Sequence, residues 1–227
     1  MTVLGIDTAT RRGSVALARP GQVLATVALV EHGAHARDLL PEIDRLLEHC
    51  GVRPSDLHGI AVTLGPGSFT GVRVGLATAK GLAYSLGIGL VGVSTLEALA
   101  LAAMAERGEA PSRLCAVLEA GRGEVYAALF RIDNGEPVRE TVDLSYRPAD
   151  LLRDLPTGTV VVGDGSDALE RAGRAAGRLI EVLDRASPLA GAVALQGSRT
   201  LRPGTPYRPG EPRPNYVRPS DAEAVHR

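Results

Sequence analysis

The chain has 227 residues, 44% of them hydrophobic and 22% charged, with a formal net charge of −1. This length allows one large or two small domains with a sizeable core, in the composition of an ordinary globular protein. The charge excludes a global positive field for nucleic acid or an anionic membrane, so any RNA contact has to be local or shared with a partner.

In chain order, VLGID (3–7), SVALA (14–18) and VLATVALV (23–30) are β-type runs separated by TATRRG and by the turn at Pro20-Gly21, and they read as a β-meander. From Ala34 to Cys50 the residues Leu39, Leu40, Ile43, Leu46 and Leu47 fall at helical spacing and Gly51 supplies a stop, which predicts an amphipathic helix. A strand at 60–64, a helix at 70–86, a strand GLVGV at 89–93 and an alanine-rich helix from Thr95 to Arg107 complete a first α/β unit. A second begins near Arg113, with a hairpin of 114–119 and 124–132 around Gly121-Arg122-Gly123, a strand TVVVG at 159–163, and AGRAAGRLIEV (172–182) as a helix. Six prolines in the 17 residues from Pro203 to Pro219 predict an extended tail. The expected organisation is a first lobe at 1–108, a second at 109–200 and a tail at 201–227.

The stretch TLGPGSFTGVRVGLATAK (63–80) looks like a nucleotide loop running into a helix, and the glycine arithmetic rejects that reading. A Walker loop needs Gly-Lys-Ser/Thr five positions after its first glycine, and Gly65 and Gly67 are followed there by Thr70 and Val72. A dinucleotide fingerprint needs a glycine where Thr70 stands; Gly71 comes one place late. What remains is a strand, a Pro/Gly turn and a helix with Ser68 or Thr70 as N-cap. On that helix Gly71, Gly75, Ala79 and Ala83 recur every four residues and leave one stripe almost without side chains. Glycine inside a helix costs roughly 1 kcal/mol relative to alanine, so another backbone must approach closely. It belongs either to the protein's own core or to a partner chain.

Other polar constellations are weaker. His32 and His35 are a conceivable metal pair, but no third and fourth ligand follow at zinc spacing. Asp7 with Thr8 and Thr10, in GIDTAT, could orient magnesium beside phosphates, or Asp7 could cap its own turn. PGSFTG is not the Gly-x-Ser-x-Gly elbow of a serine hydrolase. Glu119, Arg122, Glu124 and Tyr126 could form a polar surface or an exposed strand edge. Cys50 and Cys115 lie in no Cys-x-x-Cys pair and read as reduced, buried thiols. The start lacks a signal-peptide pattern and the longest apolar run is too short to span a bilayer, so a cytoplasmic location without membrane contact is expected.

GIDTAT, the meander, H-x-x-x-LLPEI, GPGSFTGVRVGLATAKGLA, EAGRGEVYAALF and PNYVRPSDAE occur in this order. Together they resemble the TsaB (YeaZ) family, bacterial proteins required for making threonylcarbamoyladenosine beside the anticodon of transfer RNA. The resemblance is weakest across 133–158 and 165–200. It implies an α/β fold of the actin-like ATPase (ASKHA) class, with two ribonuclease-H-like lobes and mixed β-sheets. It further implies a non-catalytic paralogue of TsaD, the subunit whose metal is held by paired histidines after the strand that follows the glycine-striped helix. Here that stretch, VGVSTLEALA, has Ser94, Thr95, Glu97 and Ala98 and no histidine. Ala9 replaces a glycine common in the first phosphate loop of active members, and Glu119-Ala120-Gly121 replaces the usual Asp-Ala-Arg.

The implied role is a scaffold that binds TsaD, with TsaE, or pairs with a second copy of itself, and reaches transfer RNA only through the complex. The implied contact surface is the pair of helices at 34–50 and 70–86, with Leu39, Leu40, Ile43, Leu47, Val72, Gly75, Leu76 and Lys80, the only lysine, as interface candidates. This chain would require no cofactor and hold no metal of its own, with ATP or ADP and magnesium as candidates at the partner interface. The alternatives are a self-sufficient ATPase of the sugar-kinase type, using Asp7, Thr8 and Thr10 with the glycine turn at Gly163 and Gly165, and a peptidase.

Overall fold

The computed structural model describes residues 1–29, 35–105, 111–183 and 188–218. The chain divides into two compact units, Met1–Ala98 with Pro188–Asn215, and Leu99–Ser187 with Tyr216–Arg227.

The first unit is built on β1 (Val3–Asp7), β2 (Ser14–Arg19), β3 (Gln22–Ala28), β4 (Gly59–Thr63) and β5 (Gly89–Val93), in the sheet order β3-β2-β1-β4-β5. The β1-β2 and β2-β3 pairs are antiparallel, as the meander predicts, and β1-β4 and β4-β5 are parallel. Helices α1 (His35–His49), α2 (Phe69–Leu86) and α3 (Thr95–Ala105) follow β3, β4 and β5 in chain order. Val30, His32 and the last two residues of the predicted third helix lie outside the described residues, as does the side chain of His35.

Strand alternation sorts the two faces of this sheet by side-chain size. Leu4, Ile6, Val15, Leu17, Ile60 and Val62 point to one face and form a buried cluster with Leu39, Ile43, Leu46 and Leu47 of α1 and Leu76, Ala79 and Ala83 of α2. The opposite face carries Gly5, Ala16, Gly59 and Ala61, small enough for helix α6 (Ala190–Thr200) to lie almost on the backbone. A Cβ on Gly5 would meet Ala194 N at 2.7 Å, and one on Gly197 would meet the Ala61 Cβ at 2.5 Å. Ser14 fixes the start of α6 by accepting from Ala190 N–H at 3.1 Å. The range 109–200 thus does not form one lobe: α6 returns to the first sheet, because that sheet has a second apolar face to cover.

The second unit repeats the plan. Strands β6 (Arg113–Gly121), β7 (Glu124–Asp133), β8 (Glu136–Arg139), β10 (Thr159–Val162) and β11 (Glu181–Val182) lie in the order β11-β10-β6-β7-β8, and β9 (Leu144–Tyr146) also pairs with β7. The β6-β7-β8 ladder is antiparallel and β6-β10-β11 parallel, which reproduces the order and direction of the first sheet. Helices α4 (Pro148–Asp154) and α5 (Ser166–Ala175) supply Leu151 and Leu169 to a core with Cys115, Val117, Val125 and Val161.

One expected helix is corrected here. AGRAAGRLIEV is helical only to Ala175; Gly177 turns left-handed at φ 67°, Arg178 N–H closes on Gly173 O at 2.8 Å, and Glu181–Val182 become an edge strand. The Arg178 guanidinium then donates to Leu152 O at 2.5 Å and Leu155 O at 2.7 Å, satisfying carbonyls at the end of α4.

Candidate functional site

Asp7 ends β1 with no solvent exposure. Its Oδ1 accepts from Ala9 N–H at 3.0 Å and from the Thr63 hydroxyl at 2.9 Å, and its Oδ2 accepts from the Thr10 hydroxyl at 2.5 Å. Burial pushes the carboxyl above its ordinary range, opposed by the hydroxyls of Thr10 and Thr63 and the N–H groups of Ala9 and Thr10. The turn after β1 therefore spends its N–H groups on its own aspartate. It is also covered: Ser68 N–H donates to Ala9 O at 2.8 Å, and a Cβ on Gly67 would collide with Ala9 O. Of the two readings of Asp7, the geometry matches a residue that caps its own turn.

The second glycine turn is equally closed. Gly165 N–H donates to Val117 O at 3.2 Å, Ser166 N–H to Gly163 O at 3.2 Å, and Asp164 Oδ1 accepts from Glu119 N–H at 2.8 Å. A Cβ on Gly163 would run into Val117 O, and one on Gly165 would meet the Val117 side chain at 2.5 Å. These glycines let the turn lie on β6. A phosphate cradle needs unspent N–H groups pointing at the anion, and the N–H groups of Ala9, Gly165 and Ser166 are already spent within the chain.

Ser68 caps α2 by accepting from Gly71 N–H at 3.1 Å, and Gly87, left-handed at φ 65°, ends the helix. The glycine stripe faces inward. Thr8 donates its hydroxyl to Gly71 O at 2.7 Å, and a Cβ on Gly71 or Gly75 would overlap Thr8 itself; Ala79 and Ala83 complete the buried stripe. Of the eight interface candidates, Leu39, Ile43, Leu47, Val72, Gly75 and Leu76 are buried in the chain's own core, Lys80 is half-buried, and Leu40 stands 50% exposed. Apolar letters at helical spacing identify the face that meets the sheet, so six of the eight are corrected to core residues.

The outward stripe of α2 is a different set: Thr70, Arg73, Ala77, Gly81 and Tyr84, the last 76% exposed. The Arg73 guanidinium lies over the Phe69 ring at 4.1 Å. Around a Cβ built on Gly81 none of the described residues lies within 4 Å. Sequence reasoning missed this stripe although the four-residue step from Ala77 to Gly81 was visible. On the second hairpin Glu119 and Arg122 are exposed, and Glu124 accepts from Ser145 at 2.9 Å and from Arg218 at 2.9 Å. Among the described residues no three His, Cys, Asp or Glu gather as a metal site, and no helix is long and apolar enough to cross a membrane.

Residues 22–160 match the family model described as TsaD: tRNA N6-adenosine threonylcarbamoyltransferase. Over 184 residues the chain is 35% identical to the tRNA threonylcarbamoyladenosine biosynthesis protein TsaB of Escherichia coli (strain K12), covering 79% of this chain and 78% of that one. This chain belongs to the TsaB family. The Bacillus subtilis (strain 168) TsaB is 37% identical over 155 residues, 68% of this chain and 66% of that protein, so that match spans about two thirds of the relative. The solved YeaZ of Pseudomonas aeruginosa superposes with a TM-score of 0.73 at 31% identity, covering 86% of this chain and 91% of that one. The ROK hexokinase of Thermus thermophilus, 14% identical, covers 88% of this chain and 99% of that one at a TM-score of 0.51, a likeness of fold alone. Both sheets and these neighbours make the chain an actin-like α/β fold, as the TsaB resemblance implies.

The stretch compared above with the histidine pair of TsaD has structural duties here. Ser94 Oγ accepts from Glu97 N–H at 3.4 Å, Thr95 N–H donates to Gly65 O at 2.9 Å, and Glu97 accepts from the Gln196 amide at 3.0 Å.

Proposed function

We propose that this TsaB-family chain is a scaffold in the synthesis of threonylcarbamoyladenosine on transfer RNA, docking the outer faces of α1 and α2 onto a TsaD-type protein in the cytoplasm. Threonylcarbamoyl transfer from its adenylate belongs to that partner, TsaE joins the complex, and ATP or ADP with magnesium belongs to the assembled interface rather than to this chain alone. The observation that carries the reading is Gly81. Its place in an exposed helix interior costs about 1 kcal/mol relative to alanine, and no contact with the described residues requires it. With Ala77 one turn before it, Tyr84 one turn after it and exposed Leu40 on α1, it lets a partner backbone approach closely beside apolar anchors. A partner with a related fold can present the same two helices, so a pseudo-twofold contact closes.

The self-sufficient ATPase finds little support at Asp7 or at Gly163-Gly165, where the chain's own groups consume the hydrogen-bonding capacity. The peptidase finds as little at Ser68, which is occupied as a helix cap. The deciding experiment is a size-exclusion and calorimetric titration of the purified chain against TsaD from the same source, with and without ATP, alongside ATP turnover by the chain alone. One-to-one association without turnover supports the scaffold. Self-association without TsaD binding redirects the surface to a homodimer, and turnover abolished by Asp7→Ala overturns the reading.

A further inference from the structure

The proline-rich tail contains a repeat that lies outside the proposed TsaD-binding surface. Arg-Pro occurs at 202–203, 208–209, 213–214 and 218–219, in RPGTPY, RPGEP, RPNYV and RPS. Residues 202–218 hold four arginines against one acidic residue, Glu211, in a chain whose net charge is −1. The rest of the molecule is therefore net acidic, and the positive charge is local.

The backbone of this segment is fixed. Leu201 is buried at the positions where Gly59 and Gly89 lack side chains, Thr205 O lies 3.0 Å from a Cβ placed on Gly89, and Tyr207 packs against the first unit's core. Asn215 N–H donates to Leu64 O at 2.7 Å. Between these anchors the first two repeats form hydrogen-bonded turns, Thr205 N–H to Arg202 O at 3.1 Å and Glu211 N–H to Arg208 O at 3.3 Å. Each has proline second and a glycine third, Gly204 at φ 79° and Gly210 at φ 92°, the residue pattern of a type II turn. Arg202 and Arg208 occupy the same first position of successive turns, and Arg213 begins the next repeat.

Arg202, Arg208 and Arg213 are all exposed, and none makes an ion pair among the described residues. Arg218 is different: it donates to Glu124 at 2.9 Å and to Ala120 O at 3.1 Å. Three arginines are thus displayed at five- and six-residue intervals on a backbone already ordered by proline, turn and anchor, with Glu211 the one acidic residue in the segment 202–218. Guanidinium groups match phosphate oxygens in planar, bidentate geometry, and an ordered backbone lowers the entropy lost on binding.

We propose that the Arg202–Arg213 ladder is a direct contact for the phosphate backbone of RNA, a local contribution by this chain to holding the transfer RNA on which the assembly acts. The ladder rests on the reading above for the identity of the RNA, and it departs from the expectation that transfer RNA is reached only through the complex. No base specificity follows, because phosphate contacts position a nucleic acid without reading its sequence.

The test is fluorescence anisotropy of labelled transfer RNA titrated with the isolated full chain, without TsaD, from 50 to 200 mM salt. Three phosphate contacts predict a slope of about −2.1 to −2.7 in log K against log salt, roughly a twenty- to fortyfold loss of affinity over that range. The variant Arg202→Gln/Arg208→Gln/Arg213→Gln should lose that slope and bind at least tenfold more weakly at 50 mM salt, with an unchanged melting temperature. A charge-matched variant, Arg12→Gln/Arg153→Gln/Arg171→Gln, should keep both slope and affinity. No binding by the wild-type chain at 50 mM salt, or equal losses in the two variants, overturns the ladder. So does RNA binding by the triple arginine variant equal to that of the wild-type chain. Because TsaD is absent from the titration, its failure and a failure of TsaD docking are separate results.

Discussion

Gly75 and Gly81 stand six residues apart on the same helix, and each has a small residue four positions before it, Gly71 and Ala77, yet they answer to opposite demands. Gly75 faces inward, where a methyl group would overlap the Thr8 side chain, and Gly81 faces outward, where a methyl group would meet nothing. A glycine in a helix permits a close approach in both cases. In the first the approaching group is the chain's own β1-β2 turn; in the second the described residues supply none. The inner stripe therefore belongs to stability, and the outer one is the surface proposed for association.

The largest expected effects come from the inner stripe. Gly71→Ala and Gly75→Ala should each destabilise the isolated chain by about 3 kcal/mol, the upper range for overpacking a rigid site, read by denaturant unfolding, and Gly75→Leu should fail to fold. A folded, stable Gly75→Leu variant would break the comparison by showing that the Thr8 turn yields.

Next comes Asp7, which holds that turn. Asp7→Ala leaves the hydroxyls of Thr10 and Thr63 and the Ala9 N–H without their acceptor and should cost about 2 to 4 kcal/mol. Asp7→Asn keeps an acceptor without the buried charge. Because burial raises the carboxyl in the folded state, its contribution is fullest below its ordinary value of 3.8 and declines as pH rises from there towards the raised value. The stability of Asp7→Asn relative to wild type should accordingly increase with pH from about 4 upward, measured by thermal melts across a pH series. A pH-independent difference would mean that the carboxyl is not desolvated.

The outer stripe sharpens the contrast. Gly81→Leu should leave the melting temperature of the isolated chain within a few degrees of wild type and weaken association with TsaD roughly tenfold or more, a loss of about 1.4 kcal/mol, by calorimetry. The smallest effect is Gly81→Ala, which should stabilise the isolated chain by about 1 kcal/mol through helix propensity. If Gly81→Ala destabilises the chain, the outer stripe has an internal partner after all.

Much of the architecture was legible because it rests on local pattern. The meander, α1, α2 and β5 follow from alternation, helical spacing and the turn glycines, and Ser68 was one of two caps the sequence offered. The candidate site was less legible. Leu39, Ile43, Val72 and Leu76 were chosen as apolar and helical, and those properties place a residue on a helix face without saying what lies opposite. α6 could not be placed at all: its small residues become meaningful only beside Gly5, Ala16 and Ala61 on the far face of a sheet more than a hundred residues away in sequence.

The sequence by itself determined two α/β units, the left-handed turns that glycine permits and the TsaB resemblance, since each depends on residues that are neighbours along the chain. Only the tertiary structure decided which glycine stripe is core and which is surface, that the turns at Asp7 and Gly163 are closed, and that the tail is fixed along the first unit with its arginines outward. These depend on which groups consume one another's hydrogen bonds and volume, and that is settled by contacts between segments far apart in sequence.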